Sequence, residues 1–565
     1  MAKQGAFMFV LHSHLPYVRK KGRWPHGEEM LYEAMAETYV PLLNMLNDLV
    51  KEGYHPHLTL SLTPILLEQL HDKFIKAQFI KYLEERMRAC KADRKLYKTD
   101  FVIKDEKDRK QHYFLADYYY NYYKKILSSF KTTYRKDLIK AFKKLQDKDV
   151  LDIITSSATH AYLPLFYDEN SINEQLKVGV NTYKKYFGRE PHGIWLPECG
   201  YRPLVKDEKG VKLFDGFENY LEDFNINYFF TDSHVLSPSM HTGKRQAPFF
   251  GPYTYGSFEY EEGEGYDEND SPTYQAYKVS KSKVNMLARD KYTALQVWSG
   301  EFGYPGDYQY REFHAKDSIS GLQYCKITHH NGLDGKELYE PEIAQLRVQE
   351  HADHFTHLVE DRIRELHKQT DDYVCIVSSY DTELFGHWWF EGVDWLKEVL
   401  KKMEKSEVVD VMRAGVYLNQ HPPHEKVSIP ESSWGLGGKH YVWMNGETEW
   451  MWPIIHDFSA KMKKASKDFP KAKGMKKAML NQALRELLLL HSSDWPFLIS
   501  TYQAKDYATE RFIEHKDRFA KLLDLAYTRK RLSKEEKVFV KKIMDTDNPF
   551  SDLDYTQFGN ALHAK

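Results

Sequence analysis

Two carboxylates in the sequence each follow a short apolar run of strand length. Glu198 ends the run His-Gly-Ile-Trp-Leu-Pro-Glu, and Asp381 ends the run Val-Cys-Ile-Val-Ser-Ser-Tyr-Asp. A lone carboxylate after a strand is often a helix cap or a surface charge, and Glu383 competes with Asp381 for a chemical role. Cleavage or transfer of a glycosidic bond needs one carboxylate as nucleophile or base and one carboxylic acid to protonate the leaving oxygen. The pair therefore indicates an enzyme that cleaves or transfers sugars.

Histidines follow three other apolar runs. His12 and His14 come after the first run, His160 after the third, and His234 after the fifth, close to Asp232. Imidazoles with a nearby carboxylate could bind zinc. They could equally hydrogen-bond the hydroxyls of a sugar, or be satisfied within the protein. Three histidine sites at three strand ends argue against a purely structural role, so metal binding and sugar binding both stay open at this point.

Tryptophans lie near several predicted strand ends and in a glycine-rich segment at residues 432–443. This segment carries Trp434 and Trp443 among glycines, so it cannot form a stable helix. Core packing is the default role of any single tryptophan. The glycines leave little around these two to form a core, however, and we expect an ordered loop that presents its indoles to a ligand.

Length, charge and cysteine content bound the class of protein. A chain of 565 residues should hold two to four folded units. The formal net charge of −2 gives no reason to expect nucleic acid or an anionic membrane as a partner. Four scattered cysteines and the lack of a signal-peptide pattern favour a cytoplasmic location. No apolar stretch reaches the ~18 residues of a membrane span, and motifs for nucleotide binding or serine hydrolysis are missing.

Apolar runs of strand length alternate with helical patterns through most of the chain. Near-continuous apolar character is typical of strands buried on both faces of a parallel sheet. Alternation of this kind favours an α/β barrel, whose site gathers at the carboxyl ends of the strands. The predicted strands are residues 6–11, 57–62, 151–157, 193–196, 226–231, 293–298 and 373–378. Examples of the helical patterns are 28–50, 171–187 and 343–368.

Two regions interrupt the alternation with helical patterns alone. We therefore expect residues 1–72 to form the first part of the barrel and 73–148 a helical insert. Residues 149–399 should complete the barrel, and 400–565 should form a C-terminal helical domain. Residues 235–280 are rich in Gly, Pro and Tyr, and loops of that length are usually functional lids or disordered.

Five motifs stand in fixed order along nearly the whole chain. They are His-Ser-His-Leu-Pro-Tyr at 12–17, Gly-Ile-Trp-Leu-Pro-Glu at 193–198, Tyr-Asp-Thr-Glu-Leu-Phe-Gly-His-Trp-Trp at 380–389, Ser-Ser-Trp-Gly at 432–435 and Ser-Ser-Asp-Trp-Pro-Phe at 492–497. In type and order they resemble glycoside hydrolase family 57 and, within it, the 1,4-α-glucan branching enzymes. The resemblance implies a (β/α)7 barrel with an inserted helical domain and a C-terminal helical domain that closes over the cleft.

The resemblance also implies roles for individual residues. Glu198 matches the nucleophile and Asp381 the general acid/base. No metal and no cofactor are implied, which favours sugar binding for the histidines. With His234 added from its place after the fifth run, the residues expected to bind substrate are His12, His14, Trp24, His160, His234, Trp298, Trp434, Trp443 and Asp494.

The expected activity is cleavage of α-1,4 links and transfer to a 6-hydroxyl, with amylose or a glycogen-like glucan as partner and a monomer or homodimer as the acting unit. Branching members carry a loop tyrosine that shields the glycosyl-enzyme from water. Tyr253 and Tyr255 are the candidates here, and Phe249 or Phe250 could occupy the tip. The long segment favours transfer. An α-amylase or 4-α-glucanotransferase of the same family is the alternative, followed by a metal-dependent hydrolase and a non-catalytic glucan-binding protein.

Overall fold

The computed structural model describes residues 3–23, 25–99, 103–236, 244–248, 257–260, 272–300, 303–330, 332–528 and 531–559. Within these residues no helix is both long enough and apolar enough to cross a membrane.

Seven strands form the framework of the site. They are β1 Gly5–Ser13, β2 Leu58–Leu62, β3 Leu151–Ile154, β4 Gly193–Ile194, β5 Tyr228–Thr231, β6 Asn285–Ala288 and β7 Val374–Asp381. Strand β1 lies between β7 and β2, β3 pairs with β2, and β5 lies between β4 and β6; all these pairs are parallel. A parallel bridge between Thr155 and Ile194 joins β3 to β4.

The ring closes between β6 and β7. The backbone N–H of Asp290, just after β6, donates to the carbonyl oxygen of Val377 in β7 at 2.7 Å. Every residue of β1 is buried, as expected for a parallel strand with helices outside and side chains inside. The predicted α/β fold with a seven-stranded barrel is confirmed.

The sixth strand lies elsewhere than the sequence predicts. Residues 293–298 belong to the helix Lys291–Trp298, and the strand is Asn285–Ala288. The side chain of Asp290 caps this helix by accepting a hydrogen bond from the N–H of Thr293 at 2.8 Å. A short apolar run is compatible with a buried helix as well as with a strand, and the capping residue decides between them here.

Helices surround the barrel and form the regions before β3 and near the C-terminus. Around the barrel lie Glu28–Ala34, a π-helical turn Met35–Tyr39 continuing into Val40–Lys51, Pro64–His71, Glu169–Phe187, Phe217–Asp223, Pro341–Thr370, Gly392–Glu404 and Ala414–Gln420. Between β2 and β3 the chain continues as Lys73–Leu96, Glu106–Ser128, the π-helical turn Ser129–Thr133 and Leu138–Gln146. The C-terminal helices are Met451–Asp468, Gly474–Leu490, Asp494–Ser500, Lys505–Tyr527 and Lys534–Thr546.

The chain beyond residue 400 is not helical throughout, contrary to the prediction. Val409–Val411 is a strand that pairs in parallel with β1, and Lys426–Val427 pairs with the strand Ala276–Val279. Val409 is fully buried in the core beside β1, so a short β-branched run still belongs to the barrel sheet. Two antiparallel pairs complete the strands: Val205–Lys206 with Lys212–Phe214, and Lys244–Pro248 with Ser257–Tyr260.

One hydrophobic core joins the barrel to the C-terminal helices. Its buried members include Tyr17, Ile65 and Ile194 from the barrel side, and Leu484 and Phe512 from the C-terminal side. Because these side chains share a core, the C-terminal helices are held in a fixed position against the carboxyl ends of the barrel strands.

Candidate active site

Glu198 lies in a tight turn directly after β4. The turn Pro197–Cys199 is a single 3-10 turn in which Glu198 has φ 61° and ψ 24°. A non-glycine residue rarely occupies this left-handed region, and such conformations concentrate at functional sites. The carbonyl oxygen of Glu198 accepts a hydrogen bond from the backbone N–H of Trp434 at 3.0 Å, so the strained turn is held from outside by the glycine-rich segment.

The carboxylate of Glu198 accepts two side-chain hydrogen bonds. Trp434 Nε1 donates to Oε2 at 2.8 Å, and Ser493 Oγ donates to Oε1 at 3.0 Å. The Nδ1 atom of His160 lies 3.7 Å from Oε1. Burial raises the pKa of Glu198 to about 7, while the two hydrogen bonds act in the opposite direction by favouring the ionised form. The two hydrogen bonds thus offset part of the desolvation that burial imposes on the carboxylate.

Asp381 is the last residue of β7, and the register of β1 and β7 sets it opposite His12. Burial raises the pKa of Asp381 well above its usual range, and the negative charges of Glu383 and Glu198 add to the shift. The guanidinium of Arg289 opposes it. Asp381 is therefore close enough to Glu198 to sense its charge, and its surroundings favour a protonated acid.

Glu383 is buried beside Asp381, where its carboxylate is held by fixed donors. Tyr39 donates its hydroxyl proton to Glu383 Oε1, and the backbone N–H of His14 donates to the same oxygen at 3.2 Å. Burial raises the pKa of Glu383 to about 7, and these hydrogen bonds oppose the rise. Tyr39 was not among the predicted site residues; it ends the π-helical turn, and no motif indicates its contact.

His12 and His160 face one another across the barrel mouth. Their Nε2 atoms are 3.0 Å apart, so one of them donates and the other accepts. The Nδ1 of His12 contacts Ser61 Oγ at 3.1 Å, and the Nδ1 of His160 contacts Ser493 Oγ at 2.9 Å. Burial and the charge of His14 lower the pKa of both imidazoles well below the usual value. Both rings are therefore neutral at pH 7 and can hydrogen-bond without adding charge.

His14 differs from its neighbours because it faces a carboxylate. Its Nε2 lies 3.0 Å from Asp494 Oδ2, and its ring stacks on His160 with centroids 3.9 Å apart. Burial acts to lower the pKa of His14, but the charge and hydrogen bond of Asp494, together with the charges of Glu198 and Glu383, raise it above the usual value. The structure thus brings together five predicted residues (His12, His14, His160, Glu198 and Asp494) from four distant parts of the chain.

Ser493 was missed by the sequence analysis, although it lies inside one of the motifs. It bonds to both Glu198 and His160 and precedes the short helix Asp494–Ser500. The backbone N–H of Ser493 also donates to the carbonyl oxygen of His160 at 2.9 Å. Only the position of Ser493 in the Ser-Ser-Asp motif, next to the predicted Asp494, could have indicated this role.

Trp434 and Trp298 converge near the nucleophile. Their rings make an edge contact with centroids 6.3 Å apart, and Trp298 Nε1 donates to the carbonyl oxygen of Ser379 at 3.1 Å. Trp443 is placed differently from expectation, since it is 1 % exposed and stacks on Tyr162 at 4.1 Å. The absence of a side chain at Gly435 makes room for the Trp443 ring, so the glycines create packing space and leave no free ring face for a sugar.

His234 lies at the end of β5 beside a buried ion pair. Its Nδ1 is 3.7 Å from Asp232 Oδ2, and the same oxygen binds Arg289 Nη2 at 2.7 Å. Burial would raise the pKa of Asp232, but Arg289 and His234 lower it far below the usual range. Asp232, a candidate metal ligand in the sequence, is thus the anionic partner of Arg289, a residue that the sequence analysis did not single out.

Metal-ligand geometry occurs away from the barrel mouth. Among the residues described, one group of His and carboxylate donors lies within 4.8 Å of one another, and it consists of Glu486, His515 and Asp547 in the C-terminal helices. Arg518 Nη1 lies 2.5 Å from Asp547 Oδ2, and Arg511 Nη2 lies 3.0 Å from the His515 ring. Protein cations therefore already neutralise this cluster.

Three predicted site residues, Trp24, Tyr253 and Tyr255, lie outside the described residues, as do Phe249 and Phe250. Their roles stay predictions.

Comparisons with known proteins agree with this geometry. Residues 8–430 match the model of glycosyl hydrolase family 57, and residues 454–558 match the model of the 1,4-alpha-glucan branching enzyme C-terminal region. The chain is 39% identical over 555 residues to the 1,4-alpha-glucan branching enzyme of Thermococcus kodakarensis, covering 97% of this chain and 77% of that one.

Two solved structures extend the comparison. One is a GH57-type branching enzyme from Pyrococcus horikoshii, with a TM-score of 0.85 and 38% identity over 98% of this chain and 97% of that chain. The other is the alpha-amylase AmyC from Thermotoga maritima, with a TM-score of 0.80 and 29% identity over 99% of both chains. The seven-stranded barrel, the two partly buried carboxylates at its mouth and these matches lead to one conclusion: this chain belongs to glycosyl hydrolase family 57.

Proposed function

We propose that this protein is a retaining 1,4-α-glucan branching enzyme in which Glu198 is the nucleophile and Asp381 the general acid/base. The observation that carries the assignment of roles is the contrast between the surroundings of two partly buried carboxyl groups. Hydrogen bonds from Trp434 and Ser493 favour ionised Glu198, whereas neighbouring carboxylates favour protonated Asp381. A retaining glycosidase needs this division of protonation states at rest.

In the first step Glu198 attacks the anomeric carbon of an α-1,4 link. Asp381 gives its proton to the glycosidic oxygen as the carbon–oxygen bond breaks, and the glucan fragment on the non-reducing side becomes covalently bound to Glu198. The glucan on the reducing side leaves with a new hydroxyl group. Desolvation of Glu198 increases its reactivity once a substrate has displaced water from the mouth.

In the second step the ionised Asp381 takes the proton of a 6-hydroxyl on an acceptor glucan. The hydroxyl oxygen attacks the anomeric carbon, the bond to Glu198 breaks, and an α-1,6 link forms with overall retention. Asp381 returns to its protonated form, as microscopic reversibility requires.

We assign substrate binding to the polar and aromatic groups around the carboxylates. Neutral His12 and His160 can hydrogen-bond sugar hydroxyls, and the pair of His14 and Asp494 offers a charged donor and acceptor. Trp434 and Trp298 offer ring edges and faces. His234 and Trp24 stay proposed contacts, and Tyr253 or Tyr255 the proposed shield against water.

Transfer to a glucan is better supported than hydrolysis. Relatives at 37–39% identity carry the name of branching enzymes, and the C-terminal helices match the branching-enzyme model. The structurally similar α-amylase is less similar in sequence, at 29% identity.

The reaction is tested with amylose as the only substrate. We expect new α-1,6 links, which a debranching enzyme removes to release short α-1,4 chains. Reducing ends without new α-1,6 links would identify an α-amylase. Linear chains of redistributed length would identify a 4-α-glucanotransferase.

The residue roles are tested with small nucleophiles and activated substrates. We expect Glu198→Ala to be inactive and to form a glycosyl azide of inverted configuration when azide is added, because azide replaces the missing nucleophile. Asp381→Ala should retain its first step only with a leaving group that needs no proton, such as fluoride. If Asp381→Ala lost as much activity on a glycosyl fluoride as on amylose, this would argue against the acid role of Asp381.

The setting of this activity follows from its product. A branched α-glucan suits a role in the synthesis of a glycogen-like store, and the four free cysteines accord with a reducing, cytoplasmic compartment. We propose that the active form is a monomer or a homodimer. The domain boundaries at 72, 148 and 399 likewise stay part of the proposal, with Val409–Val411 as a strand that joins the barrel sheet from beyond the last boundary.

A further inference from the structure

Three aromatic side chains lie exposed on the surface close to the segment that carries Trp434. Tyr441 is 61% exposed, Trp450 37% and Tyr502 63%. We call these three residues the aromatic platform. Single exposed apolar residues are ordinary, but a group of large rings held together in contact with water is a feature of binding surfaces.

Glu447 connects two members of the platform. Its carboxylate Oε1 accepts a hydrogen bond from the hydroxyl of Tyr502 at 3.1 Å, and its backbone carbonyl accepts one from Trp450 Nε1 at 3.0 Å. The ammonium group of Lys505 lies 2.5 Å from the other carboxylate oxygen. The polar ends of both rings are therefore fixed within the protein.

Asn445 connects the third member. Its side-chain amide donates to the carbonyl oxygen of Tyr441 and to Ser500 Oγ, both at 2.8 Å. Ser500 lies two residues before Tyr502, so the loop with Tyr441 is tied to the segment that carries Tyr502. The platform is thus one surface built from two parts of the chain.

Two members of the platform, Trp450 and Tyr502, are held by neighbouring side chains. The ammonium group of Lys505 lies 4.8 Å from the centroid of the Tyr502 ring. Trp450 makes an edge contact with buried Phe512, with centroids 5.2 Å apart. Tyr502 has φ 57°, which is uncommon for a bulky residue. Tyr and Trp offer large rigid contact area with few rotatable bonds, so little entropy is lost on binding.

Charge and chemistry indicate which ligand fits. The polar groups that hold the platform residues include one anion, one cation and one amide: Glu447, Lys505 and Asn445. This balanced set suits a neutral ligand with many hydroxyls better than an ion. Ring faces suit the C–H faces of glucose units.

The platform is continuous with the catalytic segment. Trp434 donates to Glu198, and seven residues later Tyr441 is exposed. Between them the Tyr162 hydroxyl and His440 Nδ1 are 2.7 Å apart, which anchors the segment to the barrel. A glucan chain long enough to leave the mouth can therefore contact both places, and binding at one raises the effective concentration at the other.

We propose that Tyr441, Trp450 and Tyr502 form a second binding site for an α-glucan chain, outside the catalytic mouth. This inference rests on the proposed action on α-glucans. It adds a binding site away from the carboxylates. The site retains long chains beside the enzyme between catalytic events.

The test compares the double variant Tyr441→Ser/Tyr502→Ser with the control Tyr167→Ser. Tyr167 is 62% exposed but does not belong to the platform. Trp450 is left in place because it packs on Phe512. Native electrophoresis is run in gels that contain soluble amylose, with Glu198→Gln added to every protein so that the glucan is not consumed. We expect the apparent Kd for amylose to rise at least about fivefold in the double variant and to stay unchanged in the control.

Kinetics with active enzyme provide a second readout. We expect the double variant to raise KM for amylose while kcat, and both constants for maltoheptaose, stay as in the unmodified protein. Equal retardation of the double variant and the control would overturn the proposal. It would also be overturned if the double variant converted a dimer to a monomer in light scattering, because the platform would then bind a second copy.

The two proposals fail independently. If the unmodified protein forms new α-1,6 links but the double variant is retarded by amylose as strongly as the control, the platform is refuted and the branching function stands. If the double variant loses retardation by amylose but the unmodified protein forms no new α-1,6 links, branching is refuted and the platform remains an α-glucan binding site.

Discussion

Glu383 and Tyr39 show how a residue without a direct role in bond breaking can set the protonation of one that has such a role. Glu383 lies two residues beyond Asp381, is buried where Asp381 is only partly buried, and is held by Tyr39 and the His14 backbone. Its charge contributes more to the raised pKa of Asp381 than the charge of Glu198 does. The sequence analysis treated Glu383 as an alternative to Asp381 for the chemical role. The geometry instead makes Glu383 a neighbour whose negative charge raises the pKa of Asp381.

We predict that Glu383→Gln shifts the alkaline limb of the kcat/KM profile to lower pH. Asp381 must be protonated to act as an acid, and loss of a neighbouring negative charge lowers its pKa. The control is Glu391→Gln, which alters another buried glutamate with a pKa raised by burial to about 7, hydrogen-bonded to Tyr339. An unmoved alkaline limb in Glu383→Gln would contradict the assigned coupling.

We predict that Trp434→Phe shifts the acid limb to higher pH. Glu198 must be ionised, its pKa is already raised by burial to about 7, and loss of the Nε1–H donor removes a bond that favours the carboxylate. A bond to a charged group contributes about 1.5–3 kcal/mol, so kcat/KM should fall about 10- to 100-fold.

The matched control for this variant is Trp298→Phe. Its N–H donates to a backbone carbonyl and not to Glu198, so it should weaken substrate binding without moving the acid limb. A shift of equal size in both variants would mean that general repacking, and not the hydrogen bond, changes the pKa.

At the scale of elements, six of the seven barrel strands could be predicted because parallel strands buried on both faces leave near-continuous apolar runs. The sixth strand was predicted at the wrong residues, because residues 293–298 are apolar for another reason: they bury one side of a capped helix. The carboxylates could be predicted because they follow strands within motifs. Tyr39 and Arg289 could not be derived from local pattern, because their partners lie far away in sequence. Ser493 could be indicated only by its position in a motif, since its partner Glu198 is equally remote.

In the glycine-rich segment, too, local sequence did not predict which side chains are buried. Glycine next to tryptophan predicted an exposed indole, and the structure places Trp434 at the nucleophile but Trp443 in the core. A Cβ on Gly435 would lie 2.7 Å from the Trp443 ring. The glycine is therefore required by a close approach that becomes visible only when the segment is folded.

We predict that Gly435→Ala destabilises the protein by about 1–3 kcal/mol, because the added methyl group overpacks against Trp443. It should also lower kcat, since Trp434 next to it positions Glu198. Thermal unfolding and branching assays measure both effects. Gly446→Ala is the control from the same region, since a Cβ there meets no atom within 4 Å. Equal stability of the two variants would contradict the packing argument.

At the scale of the whole molecule, barrel and C-terminal helices act as one unit. Their shared core is reinforced by contacts at the segment after His14, where Lys21 Nζ lies 2.6 Å from Glu514 and Lys20 Nζ lies 2.5 Å from Asp545. The Tyr17 hydroxyl also donates to Asn548 Oδ1 at 3.1 Å. The C-terminal helices Lys505–Tyr527 and Lys534–Thr546 are thus bound to the stretch of chain that directly follows His12 and His14.

We predict a single calorimetric unfolding transition for the barrel and the C-terminal helices. Side chains that share a core cannot lose their packing separately, so both parts should melt together. Scanning calorimetry at several heating rates is the measurement, with activity loss followed in parallel. A separate early transition that leaves near-native barrel structure would contradict this prediction.

The hydrogen bonds to Glu198 have a consequence for the order in which the enzyme becomes active. Its two side-chain donors are encoded 236 and 295 residues after it, so the nucleophile leaves the ribosome long before the groups that prepare it. A growing chain folds from its N-terminal end, and it can close the barrel up to β7 while Glu198 still lacks both donors. Catalysis must then wait until the segments with Trp434 and Ser493 have been made and have docked, so a chain that ends before Ser493 should not modify glucan.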